Sequence, residues 1–246
     1  MSTIAVIGGT GTSKLGLADG GREVLVETPY GPPSGPVLRS TLGSSELLFM
    51  ARHGPESTIP PHDVNYRANV WAMHSLEPDF LLGINVVGGI RADARPGRLF
   101  FPDQLIDYSW GREHSFNDSG RQPVQHIEFT MPFSTSLRQR LIGQAGVLEL
   151  DFESSATYGV TQGPRLETAA EIDRLERDGC DLVGMTAMPE AALAREIGLD
   201  YAICAVVVNR AAGRGPQDTP IHAEIDRSLQ QAMQRVGRLL EALASQ

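Results

Sequence analysis

The chain is poor in the residues that staple, anchor or coat a protein. Its 246 residues include 2 cysteines, Cys180 and Cys204, each in an apolar stretch. Two isolated thiols make neither a disulfide framework nor a zinc cluster, and they fit a reducing, cytoplasmic setting. Lysine occurs once, at Lys14. Basic side chains are outnumbered, 21 against 30 acidic, for a net charge of −9. That balance offers no electrostatic footprint to nucleic acid or to an anionic membrane, so any bound anion must be held by a local constellation. The most apolar stretch, Phe80–Ile90, is interrupted by Gly83, Asn85, Gly88 and Gly89 and falls short of the ~20 residues of a membrane span. The N-terminal MSTIAVIGGTG carries no basic n-region and no long apolar core of the kind that marks a signal peptide. There is no fixed-period repeat and no low-complexity segment.

What is present is ordinary globular composition, 41% hydrophobic and 21% charged, in a chain long enough to bury roughly 70–75% of its unfolded surface. Short apolar runs at Thr3–Ile7, Glu46–Ala51, Phe80–Val87, Asp181–Met185 and Tyr201–Val208 are continuous rather than alternating. They read as strands buried on both faces. Helical patterns lie between and after them at Val64–Ser75, Ser136–Ala145, Thr168–Arg177, Pro189–Ile197 and Ala223–Leu243. In the last, Leu229, Met233, Val236, Leu240 and Leu243 keep one apolar stripe. Strands alternating with helices predict a single α/β domain over 1–246, with a mostly parallel sheet flanked by helices. Thr28–Val37, Tyr108–Gln125 and Ala211–Pro220 read as loops, and polar loops of such length often carry function.

Several segments carry possible chemistry. Gly8-Gly9-Thr10-Gly11 follows a strand. Glycines admit an anion close to the backbone and the Thr10 hydroxyl donates to it, while the plainer reading is a tight turn. The dinucleotide fingerprint fails, because Lys14 stands at its third glycine, and the phosphate loop fails for want of a glycine before that lysine. Arg52-His53 directly follows another strand, where a guanidinium fork suits phosphate. Asn65 suits a helix cap. Asn85 and Asn209 each end a buried strand and need partners, from backbone or from ligand. Thr168 and Glu171 form a capping box that does not require the adjacent Glu167. Met185 and Thr186 end a strand before Pro189, which suits a helix start, and a hydroxyl at a helix N-terminus is an anion donor.

Taken in order, Ile-Gly-Gly-Thr-Gly, Ala-Arg-His-Gly, Pro-x-x-Val-Asn-Tyr-x-Ala-Asn, Asn-Val-Val-Gly-Gly, Gln-Gly-Pro-Arg-x-Glu-Thr-x-Ala-Glu and Gly-Met-Thr-x-Met-Pro-Glu resemble the trimeric purine nucleoside phosphorylase and methylthioadenosine phosphorylase family. The likeness runs from residue 3 to about 243 and is nearest in pattern to the subgroup that cleaves S-methyl-5'-thioinosine. The resemblance implies phosphate-dependent cleavage of a purine nucleoside in purine salvage, with inorganic phosphate as co-substrate and neither metal nor organic cofactor. It puts phosphate on Thr10, Arg52, His53, Asn85, Val86 and Thr186. The nucleoside goes to Leu166, Glu167, Met185, Asn209 and Ala211, with Val86 also packing the ribose. The 5' pocket is assigned to His222, Ile225 and Leu229, completed by His126 of a neighbouring subunit, hence a homotrimer. Asn209, Glu167 and His53 are the implied catalytic set.

Methylthioadenosine phosphorylases resemble Asp-x-Asp where this chain has Asn209-Arg210-Ala211. An Asn amide donates to a 6-oxo group and N7, and Glu167 accepts from N1–H, which favours hypoxanthine over adenine. Asn85 and Gly184 also depart from the methylthioadenosine pattern. The expected substrate is therefore S-methyl-5'-thioinosine. S-methyl-5'-thioadenosine and inosine or guanosine are the alternatives within the family. Outside it stand a dinucleotide-dependent oxidoreductase built on the glycine turn, with Glu27 as its acidic partner, and a nucleoside sensor without catalysis.

Overall fold

A computed structural model of the chain describes residues 2–16, 20–117, 125–215 and 221–245. The strands are β1 (Thr3–Gly8), β2 (Arg22–Val24), β3 (Val37–Leu42), β4 (Ser45–Ala51), β5 (Phe80–Gly89), β6 (Leu99–Phe100), β7 (Gln104–Asp107), β8 (Phe152–Glu153), β9 (Thr157–Val160), β10 (Leu182–Gly184) and β11 (Tyr201–Arg210). The α-helices are α1 (Tyr66–His74), α2 (Thr135–Val147), α3 (Ala169–Arg177), α4 (Glu190–Glu196) and α5 (Ile221–Ala244), with a 3-10 turn at Thr12–Leu15. All strands join one mixed sheet. The five strands and five helices expected from sequence are present, with ends moved by one or two residues, and the fold is α/β.

The long strands are largely apolar because helices cover both faces. Ala5 and Ile7 of β1 face the cluster built with α1 and α4. Ile4 and Val6 face the cluster built with α2 and α5. Side chains that alternate across a strand supply both layers. Helix starts follow local chemistry. Asn65 caps α1 by accepting from the Ala68 N–H at 3.1 Å, so α1 begins at Tyr66 rather than Val64. Thr168 and Glu171 form the expected reciprocal box ahead of α3. Pro189 is the residue before α4 rather than its first turn.

β5 organises the sheet. It runs parallel to β11 along nearly its whole length. Its other edge pairs with β1 only as far as Ile84, and with antiparallel β10 only at Gly88 and Gly89. Between them, Asn85–Val87 pairs with no strand of the described residues on that edge. Since β1 is parallel and β10 antiparallel to β5, both present their carboxyl ends to the gap. Ligands in open α/β sheets bind at such ends. On the opposite edge, the register of β11 slips at Val208, a bulge of the sort that re-aims a neighbouring side chain.

The loop over 28–36 is present as expected. The loops at Tyr108–Gln125 and Ala211–Pro220 are described through 117 and 215; 118–124 and 216–220 lie outside the described residues. No described helix is long and apolar enough to cross a membrane.

Candidate active site

A cleft of about 410 Å³ opens at the gap in the sheet. Its walls come from seven places in the chain. Gly9 and Thr10 follow β1, and Arg52 and His53 follow β4. Val86, Val87 and Gly88 come from β5, and Gly184, Met185 and Thr186 from the end of β10. Val208 and Asn209 come from the bulge of β11, and Pro164, Leu166 and Ile225 close the rim.

Arg52 is fully buried and carries a buried counter-ion. Its Nε lies 2.5 Å from Glu190 Oε1 and its Nη2 2.9 Å from Oε2. Nη2 also reaches the Ile7 carbonyl and Asn85 Oδ1, and Nη1 the Ile84 carbonyl, each at 3.2 Å. Of five N–H hydrogens, one on Nη1 is left over. Burial opposes its charge, but Glu190 outweighs burial and holds the guanidinium protonated more firmly than usual. Tyr201 Oη donates to Glu190 Oε2 at 2.9 Å, so both carboxylate oxygens are engaged.

Asn85 does not line the cleft. It lies behind it, 1% exposed, accepting from Arg52 and donating to Thr186 Oγ1 at 2.9 Å. Thr186 accepts from Asn85, so its own hydrogen is free to turn outward. His53 is half-buried. Its Nδ1 lies 2.8 Å from the Ile59 carbonyl. Burial first, and Arg52 second, lower its pKa below the ordinary histidine value. This side of the cleft thus presents an imidazole whose protonation is disfavoured, a hydroxyl and a cation already matched by a buried carboxylate.

On the other side, Asn209 is buried and its Nδ2 donates to the Arg210 carbonyl at 2.7 Å. Glu167 does not share the cleft. It lines an adjoining pocket of about 290 Å³ with Tyr108, Trp110 and Arg165, where it accepts from Thr161 Oγ1 at 2.6 Å. Ala211 lies in a small apolar cluster with Ile172 and Val183. Leu229 packs in the core under Gly11. Neither lines the cleft, whereas Ile225 does. His126 is exposed and contributes nothing to the cleft of its own chain. The side chain of His222 lies outside the described part of the structure.

The sequence reading passed over three groups that shape the site. Glu190 ends the Met-Pro-Glu motif, and a charge opening the otherwise apolar Ala-Ala-Leu-Ala run is the signal that it needed a buried partner. Arg112 reaches from the long polar loop to the carbonyls of Met185 (2.7 Å), Met188 (2.5 Å), Thr161 (3.3 Å) and Gln162 (2.9 Å). It ties the turn after β10 to the turn after β9. Tyr158 of β9 has a buried hydroxyl with no hydrogen-bond partner among the described residues.

The Phosphorylase superfamily profile matches residues 3–245. The chain belongs to that superfamily. Among relatives within it, a protein of Xanthomonas campestris named a probable S-methyl-5'-thioinosine phosphorylase is 47% identical over 98% of this chain and 96% of its own length. The 6-oxopurine nucleoside phosphorylase of Pyrococcus furiosus is 38% identical over 98% of this chain and 92% of its own. Among solved structures, methylthioadenosine phosphorylase of Schistosoma mansoni with adenine superposes with a TM-score of 0.91. It is 29% identical over all of this chain and 91% of its own. The superfamily thus has the α/β fold described here, and the cleft lies where the chain's motifs meet.

Proposed function

We propose that the chain is a purine nucleoside phosphorylase that converts S-methyl-5'-thioinosine and phosphate to hypoxanthine and 5-methylthioribose 1-phosphate. One observation carries this reading: Arg52, His53 and Thr186 share a single cleft with Asn209 and with the apolar Val86 and Met185. The names of the relatives support it.

In this reading phosphate sits against Thr10, Thr186, His53 and the spare Nη1 hydrogen of Arg52, with Asn85 holding Thr186 and Arg52 in place. The ribose packs on Val86 and Met185. A phosphate oxygen forms the new bond to C1' as the C1'–N9 bond breaks, and the electron pair leaves with the purine. Positive charge grows on the sugar, beside the phosphate, and negative charge grows on the ring, beside the Asn209 amide. A preorganised donor at developing charge is worth about 3–4 kcal/mol of barrier, and holding phosphate against C1' supplies much of the rest. Glu167, fixed by Thr161, accepts from N1–H of a 6-oxopurine that extends toward the adjoining pocket.

Neither metal nor organic cofactor has a role in this scheme, so excess chelator should leave the rate unchanged. His126 would complete the 5' pocket of a neighbour in a homotrimer, and Ile225 would line that pocket from within. The test is base release from S-methyl-5'-thioinosine, S-methyl-5'-thioadenosine, inosine and guanosine, with and without phosphate. The methylthio 6-oxopurine should turn over fastest, and omission of phosphate should abolish release. Equal hydrolysis without phosphate would reject the reading.

A further inference from the structure

The imidazole of His53 has its polarity fixed by a bond it already makes. A carbonyl only accepts, so the 2.8 Å contact to Ile59 O puts the ring hydrogen on Nδ1. In the neutral ring Nε2 is then a bare lone pair. Nε2 bonds to no described residue and is not a buried orphan. Because the ring lines the cleft, Nε2 is the nitrogen left to meet a ligand. Its neighbours have the opposite polarity. Arg52 keeps one Nη1 hydrogen, and the Thr186 hydroxyl, already accepting from Asn85, has a hydrogen to give. An oxyanion at this place meets donors on two sides and an acceptor on the third. A second ring proton is opposed by burial and then by the Arg52 charge, against weaker opposite pulls from the Ile59 bond and Glu190.

Resting on the phosphorylase reading above, we propose that His53 accepts a hydrogen bond from the bound anion and thereby makes the cleft select a protonated oxyanion, phosphate or arsenate, over sulfate. Inorganic phosphate and arsenate keep at least one proton throughout the neutral range, and sulfate keeps none. Sulfate has a similar size and charge, but it would set an oxygen lone pair against Nε2 and leave both unpaired. A site built around a hydrogen bond rejects the analogue that lacks the hydrogen. Holding the P–OH at His53 leaves bare oxygens for Arg52, for Thr186 and for C1'. The proton stays on phosphate while the C1'–O bond forms and the purine leaves with the C1'–N9 pair.

The test uses the intact enzyme near neutral pH with S-methyl-5'-thioinosine. Arsenate should replace phosphate in releasing base, and sulfate should compete with phosphate at least ~10-fold more weakly than arsenate does. His53→Lys replaces the acceptor with a donor, and should raise the KM for phosphate while narrowing the sulfate-to-arsenate gap to within ~3-fold. In wild-type protein labelled with nitrogen-15 at histidine, Nε2 should stay unprotonated when phosphate saturates the site. Sulfate competing as well as arsenate, or an imidazolium in the phosphate complex, would overturn the inference and leave the phosphorylase reading standing. Base release that ignores phosphate would overturn both.

Discussion

Arg52 spends most of its hydrogens inside the protein, which makes it a structural residue as well as the anion receptor proposed above. Among the described residues its partner Glu190 pairs with no other cation. Removing one member of such a pair leaves a buried charge, so Glu190→Gln should cost about 3–5 kcal/mol, read from urea midpoints, and should raise the KM for phosphate. In the proposed reading Asn209 faces the base. Asn209→Asp replaces a donor with an acceptor and should move preference toward the 6-amino purine, measured as the ratio of kcat/KM on the two methylthio-nucleosides; an unchanged ratio would remove Asn209 from base recognition. His53 adds a pH signature. Its native pKa is depressed, so its contribution to stability is complete above the ordinary value of about 6.5 and is lost as pH falls through the lower native value. Thermal midpoints of wild type should fall more steeply than those of His53→Gln over that acid range. Arg52, Thr186 and Asn209 were legible in sequence because each stands where an apolar strand stops. Glu190 and Arg112 were not, because the atoms they bind lie up to 138 and 76 residues away in the chain.

At the scale of elements, β9 and β10 meet without room to spare. A Cβ added at Gly184 would lie 2.0 Å from the Tyr158 hydroxyl, and Tyr158 is wholly buried. Gly184→Ala should therefore destabilise by about 1–3 kcal/mol through overpacking, and the Tyr158→Phe background should return part of it; denaturant curves of the three variants decide the matter. The same pairing marks what sequence conveyed about elements. β1, β4, β5 and β11 announced themselves because both faces are covered and most positions are apolar, the polar residues standing mainly near the strand ends. β2, β6, β7 and β8 are two to four residues long, and Arg22–Val24 and Gln104–Asp107 carry polar side chains suited to partly exposed positions. No periodicity builds up over so short a run. β3 and β9 were passed over for related reasons, the one mixed in polarity and the other only four residues long.

At the scale of the whole molecule, one chain of 26.6 kDa builds the cleft proposed for phosphate and base but leaves His126 exposed and out of its lining. Light scattering should return three times the chain mass. His126→Ala should weaken binding of the methylthio substrate while leaving that mass unchanged; a monomer of full activity would remove the shared pocket. The layered α/β plan and the order of its motifs were readable from residue 3 onward, whereas the separation of Glu167 from Asn209 into adjoining cavities was not. Asn209 is aimed by the bulge in β11 and Glu167, just ahead of α3, is held by Thr161, and neither placement is written in the local sequence.

The unclaimed edge at Asn85–Val87 has a price for the architecture. Had β1 or β10 run a few residues further at its carboxyl end, the ladder would close, backbone hydrogen bonds would be gained, and there would be nowhere for a nucleoside to lie. The vacancy is what the enzyme works with, so substitutions that knit this seam more tightly should yield a sturdier protein that does nothing.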